Sequence, residues 1–251
     1  MFGMRCNNDR IDIMGYGDIK MTDWEKYWTR NPKLVGEKEY LNQAEHTVNG
    51  LPYSDCQFQP MVLEICNCLD LRMEDVLLDV CCGNGVITTE LAKKCRKVIG
   101  VDFSKPMLKV ANQDHRPANV NYHRINVIDF EKISKISYST FNKILMYGSL
   151  QYFRKRELTI LLNNILQLSA DRRTIFIGSI PDKKRKWKFY RTPQKKLLYL
   201  YYKMSGKDAI GTWWDRRWIE TTCERLGLQC NFQEHSIDKP VASWRFDMTL
   251  Y

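Results

Sequence analysis

Apolar positions along the chain recur first at helical spacing and later in short buried runs separated by turns. Trp24, Tyr27 and Trp28 fall three and four positions apart, and residues 23–70 read as helical. Met61, Leu63, Ile65, Leu69 and Leu71 are expected to form the apolar face of the last helix in that stretch. Residues 1–20 show no clear periodicity and read as a loose arm. From residue 76 strand and helix patterns alternate. Residues 76–80 form a buried strand, a glycine turn follows, and a helix runs to about Cys95. Residues 97–101 make a second strand, after which Ser104 caps a helix with Pro106 in its first turn. Further strands are expected at 120–127, 143–147 and 174–180, with a helix at 155–168.

The alternation predicts a parallel sheet with helices on both faces. It breaks after Pro181, where a basic, aromatic-rich segment runs to about Trp214. A helix at 215–226 should end at Gly227. Residues 228–237 and 244–251 alternate as strands around Asp238-Lys239-Pro240 and predict a closing hairpin. The expected fold class is therefore α/β: a Rossmann-like doubly wound sheet, mostly parallel with a C-terminal antiparallel hairpin. An N-terminal helical segment and a helical lid are added to it. Residues 1–70 form the N-terminal arm and helices, and 71–251 the main domain, with the lid inserted at about 181–214.

Composition narrows the class. With 251 residues, 44% of them hydrophobic, the chain can bury a sizeable core, which excludes disorder as its main state. No apolar run approaches the roughly 20 residues of a membrane helix, and MFGMRCNNDR lacks a signal peptide's apolar stretch. A soluble, cytoplasmic protein is expected. Nine cysteines without a CxxC pair argue for free thiols in a reducing compartment, not for a metal. The net charge is +10, and twelve Lys and Arg lie between Lys183 and Arg217 against Asp182, Asp208 and Asp215. That patch suggests an anionic partner, with a solvated helix face as the alternative.

The chemistry concentrates in Asp79-Val-Cys-Cys-Gly-Asn-Gly85. Gly83 and Gly85 let the backbone turn sharply at a strand end and approach a ligand closely. Asp102 closes the next strand, where a carboxylate can accept hydrogen bonds from both ribose hydroxyls. These features fit an adenosine-containing cofactor. Two details favour S-adenosylmethionine over a nicotinamide. Thr88 stands where a third glycine of G-x-G-x-x-G would fall, and Asp79 offers a carboxylate that suits an ammonium or sulfonium and repels a pyrophosphate.

Over residues 76–180, LLDVCCGNG, VIGVDFSKPML, NVIDF and ILMYGSLQYF resemble the class I S-adenosylmethionine-dependent methyltransferases. The resemblance implies that Gly83 and Gly85 pass under the methionine part, that Asp102 binds the ribose, and that Phe103 packs on adenine. Asn126 and Val127 match positions beside the adenine edge, and Tyr147 ends the strand where methyl group and acceptor meet. YWTRNP, QAEHTVNGLPYS and the segment from IPDKKRK to GTWW are similar to a bacterial small-molecule subgroup. That likeness implies that Tyr27 and His46 close over the cofactor and that 181–214 is a lid.

No general base stands out. His46, Gln151 and Tyr152 are the candidates, Gln151 as an orienting group and not a titrating one. His115 reads as a solvated loop residue, His123 as a sheet or surface residue, and His235 as the end of a late strand. The leading expectation is an O- or N-methyltransferase in a biosynthetic pathway, acting on a small molecule, with the basic charge favouring an anionic one. An RNA methyltransferase using the basic, aromatic lid is the second reading. A non-catalytic binding protein that kept the fold is the third. No membrane partner is expected, and the residues carry no signal of oligomeric state.

Overall fold

The computed structural model describes residues 24–34, 36, 38–48, 50–129, 141–204, 210–235 and 241–251. The arm at 1–20, Lys207, Asp208 and the turn at 238–240 lie outside these.

Among the described residues a seven-stranded sheet runs in the order β5-β4-β3-β6-β7-β9-β8. Its strands are β3 (Val76–Val80), β4 (Lys97–Asp102), β5 (Val120–Arg124), β6 (Phe141–Tyr147), β7 (Ser169–Pro181), β8 (Cys230–Glu234) and β9 (Arg245–Leu250). The first five pair in parallel. β9 pairs antiparallel with both β7 and β8, so the predicted closing hairpin is present and β9 lies inside the sheet. The α/β class, the mostly parallel sheet and the antiparallel C-terminal strands are as the sequence pattern predicts.

All five residues of β3 are buried, because helices cover both of its faces. Alternate side chains point to opposite sides. Leu78 and Val80 join Ile144, Met146, Ile175 and Ile177 in a core against helix α6 (Lys155–Leu168) and helix α9 (Arg216–Arg225). Leu77 joins Val98, Leu145 and Phe176 against α3 (Asp55–Leu69) and α4 (Val86–Ala92). Each fully buried leucine contributes about 1.5–3 kcal/mol from water exclusion.

The chain builds outward from β3 in two directions, through β4 to β5 and through β6 to β7. The strand order therefore switches between β3 and β6, which opens a crevice at their carboxyl ends.

The N-terminal stretch is more broken than its periodicity suggests. It holds α1 (Trp24–Leu34), the short α2 (Tyr40–Gln43), a two-stranded hairpin β1 (Thr47–Val48) and β2 (Leu51–Pro52), and then α3. Gly50 at φ 78° makes the hairpin turn. Leu63 is 60% exposed. It follows Met61 by two residues, about 200° around a helix, whereas Met61, Ile65 and Leu69 recur at fours and share the buried face. The third strand stops at Arg124, short of 127, and the fifth begins earlier than expected, at Ser169.

The segment after Pro181 folds as a 3-10 turn (Lys183–Arg185), α7 (Lys186–Phe189) and α8 (Pro193–Met204). No helix of the described residues is long and apolar enough to cross a membrane. Of the described cysteines, Cys95 and Cys223 are buried and Cys56 is exposed.

Candidate active site

At the crevice lies a cleft of about 1030 Å³, bounded by the ends of β3, β4 and β6, by α1 and the β1–β2 hairpin, and by α7 and α8. The backbone of its floor is unusual. Cys81, Gly83 and Gly85 all take positive φ, at 60°, 58° and 81°. At Gly85 a Cβ would overlap the Tyr122 hydroxyl, so glycine is required by space as well as by backbone conformation.

The two acids named from the sequence stand on this floor. Asp102 Oδ2 accepts from the Gly83 N–H at 2.9 Å, and its Oδ1 accepts from the Ser104 N–H at 2.8 Å. The carboxylate thus sets the glycine turn at one oxygen and the start of helix α5 (Lys105–Asp114) at the other. Asp79 accepts from Thr88 Oγ1 at 2.6 Å. Burial raises both acids, Asp79 to about 7 and Asp102 to about 6, despite the hydrogen bonds that pull the other way. Thr88, noted only as a missing glycine, is the donor that holds Asp79.

The N-terminal segment is tied to this floor at named points. The buried Asn84 donates to the Tyr40 carbonyl at 2.8 Å and to Gln43 Oε1 at 3.2 Å. His115 is not solvated as expected: its Nδ1 lies 2.8 Å from the Asn84 carbonyl and its ring packs edge-on against Tyr40. Trp24 and Trp28 both pack on Tyr152, with Trp24 and Tyr152 ring centres 4.6 Å apart, and Tyr27 packs edge-on against both tryptophans. Glu45 accepts hydrogen bonds from both Tyr27 and Tyr152. The sequence pattern marks Trp24 only as a helix-face residue and does not mark Glu45, which at φ 56° has no local signature there.

Of the other candidates, His46, Phe103, Asn126, Tyr147 and Gln151 also line the cleft. The His46 ring lies 6.0 Å from Tyr53 and 6.2 Å from Tyr147. Enclosure, reinforced by the Arg245 charge, lowers its imidazole to about 4, so it is neutral at pH 7 and a feeble base. Gly85 and Val127 lie behind the lining. Val127 is in the core, with its carbonyl accepting from Asn164, and Ile128 takes the place at the wall. His123 is on the surface, as expected. His235 is buried just past the end of β8, with Nε2 2.9 Å from Asp247 Oδ1, and does not line the cleft.

The basic stretch is partly spent within the protein. Arg185 and Arg216 share Asp182 and Glu234 at 2.7–3.0 Å, and Lys186 Nζ bonds the Tyr199 hydroxyl. Gly211 at φ 88° brings its backbone against the Gln151 carbonyl, which accepts from Thr212 N at 2.8 Å. The end of the basic segment is thereby fastened to the end of β6.

Residues 77–171 match the family model described as a methyltransferase domain. The 23S rRNA (uracil(1939)-C(5))-methyltransferase RlmD of Legionella pneumophila (strain Corby) is 29% identical over 89 residues, covering 34% of this chain and 20% of that protein. The chain spans about a fifth of the length of the first curated relatives it matches. Among solved structures, the DhpI-SAM-HEP complex aligns with TM-score 0.61 and 14% identity, covering 90% of this chain and 94% of that one. Magnesium protoporphyrin IX methyltransferase (ChlM) from Synechocystis PCC 6803, with bound SAH, aligns with TM-score 0.58 and 12% identity, covering 92% and 94%. At these identities the likeness is one of fold.

Proposed function

We propose, from the match of residues 77–171 to a methyltransferase-domain family model, that this protein uses S-adenosylmethionine to methylate an oxygen or nitrogen of a small molecule. One observation carries the reading. Two buried carboxylates, Asp79 and Asp102, stand beside a positive-φ glycine turn at the switch point of the sheet. Both are raised by burial because little on the protein side neutralises them. A ligand with an ammonium, a sulfonium and a pair of vicinal hydroxyls supplies what they lack.

In this reading Asp102 receives the ribose hydroxyls on the lone pairs left by Gly83 and Ser104. Asp79 attracts the positive end of the amino-acid part, and Phe103 and Ile128 flank the base with Asn126 at its edge. Tyr27 and His46 close the cofactor side. When bound, S-adenosylmethionine supplies an electrophilic methyl group on a positive sulfur. The chain then has to hold an acceptor in line, keep water out and manage a proton. Gln151 and Tyr152 sit where β6 ends and orient the acceptor. His46 is too weak a base to strip an ordinary hydroxyl, so an acceptor already ionised at neutral pH suits this wall. The free cysteines suit a reducing cytoplasm.

The cleft favours a small acceptor. Its volume of about 1030 Å³ is near the upper range of small-molecule sites, and the N-terminal and basic segments both fold over it. An RNA substrate is the second reading, favoured by exposed Trp187 and Tyr201 among the lysines of α7 and α8.

Calorimetry with S-adenosylhomocysteine tests the cofactor. Binding is expected, and Asp102→Ala should weaken it about 10–100-fold. Absence of binding at millimolar ligand would overturn the reading. Transfer of labelled methyl from S-adenosylmethionine into a cell extract, fractionated by size, tests the acceptor. Label in the low-mass fraction supports a small molecule. Label in RNA, with binding that falls steeply with salt, supports the second reading.

A further inference from the structure

Arg245 occupies the far wall of the cleft, where β9 begins. It pairs across the sheet with Pro181, the last residue of β7. Its Nη1 donates to Gln151 Oε1 at 2.9 Å and to the Ser179 carbonyl, and its guanidinium lies 4.3 Å from the centre of the Trp244 ring. The plane is therefore fixed by three groups that carry no charge.

The residue is 8% exposed and lines the cleft. Its Nε is enclosed without an acceptor. Among the described residues, Nη2 makes no hydrogen bond and no carboxylate forms an ion pair with the guanidinium. The contrast with Arg185 and Arg216, each held by two carboxylates, is complete. Burial pulls Arg245 down from the ordinary arginine range, while Tyr152, Tyr53, Tyr147 and the Glu45 carboxylate pull it back. A guanidinium does not give up its proton in such a place. An enclosed guanidinium bonded to no carboxylate is costly to the fold, and an anion placed against it would offset that cost.

Asp79 and Asp102 line the cleft at the glycine turn, Arg245 and Lys188 line it from β9 and the basic segment, and Glu25, Glu45 and Glu157 line it as well. We infer that Arg245 anchors an anionic group of the methyl acceptor, a carboxylate or a tetrahedral oxyanion, through Nη2. This rests on reading the cleft as a methyl-transfer site. Gln151 is then a positioning residue: its side-chain carbonyl holds Nη1 and turns the rest of the fork towards the acceptor.

The test uses the full chain and calorimetric titration with benzoate, benzamide and inorganic phosphate, each with and without saturating S-adenosylhomocysteine. Binding of benzoate or phosphate but not of benzamide is expected, and which anion binds tells carboxylate from tetrahedral oxyanion. Arg245→Gln should weaken the anion at least about tenfold while leaving S-adenosylhomocysteine binding within a factor of about three. Gln151→Glu guards against a folding defect in that variant. It places a carboxylate on the intact guanidinium and should abolish anion binding in a protein that still melts cooperatively.

Equal binding of benzoate and benzamide, no anion binding up to 10 mM (about the limit for a single charged contact), or unchanged anion affinity in Gln151→Glu would each overturn the assignment. Competition between S-adenosylhomocysteine and the anion would also overturn it, by giving Arg245 to the cofactor. Failure of S-adenosylhomocysteine to bind, with anion binding intact, would remove the cofactor reading and leave Arg245 as an anion site.

Discussion

Ser104 Oγ donates a hydrogen bond to the backbone carbonyl of Trp28 at 2.7 Å, so the residue that caps α5 also fastens α1 over the cleft. The same oxygen accepts from Met107 N at 3.4 Å, and the Ser104 N–H donates to Asp102. One small side chain thus links helix start, strand-end acid and N-terminal cover. Ser104→Ala should cost about 1 kcal/mol of stability, the usual value of a lost cap. Denaturant unfolding would show this, and calorimetry should show weaker S-adenosylhomocysteine binding. Ser104→Thr keeps the oxygen and should restore both.

Gly85→Ala meets two obstacles, a φ of 81° and the Tyr122 hydroxyl. The expected loss is about 2–4 kcal/mol. Tyr122→Phe removes the obstructing oxygen along with its hydrogen bond to the His115 carbonyl. In the double variant the worst overlap is removed, while the tight approach to the Tyr122 ring and His115 Cβ and the backbone cost remain, so the two changes should couple favourably in a thermal-unfolding cycle. Strict additivity would show that the close approach does not matter.

If Asp79 and Asp102 hold the cofactor as proposed, its binding should depend on pH. In the ligand-free protein their carboxyls hold protons up to about 7 and about 6, against 3.8 in the ordinary state. The unfolded chain ionises first, so each acid lowers stability as pH rises from 3.8 through its folded value. A cationic ligand favours the ionised forms. Its affinity should therefore rise between pH 5.5 and 7.5, on the order of the span these groups cover, and level off above. Calorimetry at pH 6.5 in buffers of different ionisation enthalpy should detect proton release on binding. Asp79→Asn should flatten the profile.

Gly211→Ala would thrust a Cβ at the Gln151 carbonyl from a backbone at φ 88°. The strain falls on the join between the basic segment and the end of β6, not on the glycine turn. Acceptor KM should rise by about tenfold or more with S-adenosylhomocysteine affinity unchanged. An equal loss in both would place the damage in the whole fold.

The glycine turn and its acids are legible in the sequence because they are local. A buried strand, an acid, two glycines and a second strand ending in acid fall within one short stretch, and each residue's role follows from its neighbours. The wall opposite is not legible in this way. Arg245, Asp247 and Thr249 alternate with apolar residues, a pattern that suits an edge strand with a wet face. β9 is an inner strand, and all three are buried. The alternation was the available signal, and only pairing on both sides shows that its polar face is enclosed. Glu45 and Asn84 escape for a similar reason, since their partners Tyr152, Tyr40 and Gln43 come from other elements. Val127 was placed by motif position, and the early end of β5 turns its neighbour Ile128 to the wall instead.

The placing of β9 between β7 and β8 also sets a timetable. The ribosome releases β8 before β9, yet β8 joins the sheet only through β9. The glycine turn after β3 can be complete while β8 still waits without a seat. Arg245 arrives with the strand that provides that seat, so a nascent chain has the glycine turn on one wall of the cleft before it has the guanidinium on the other.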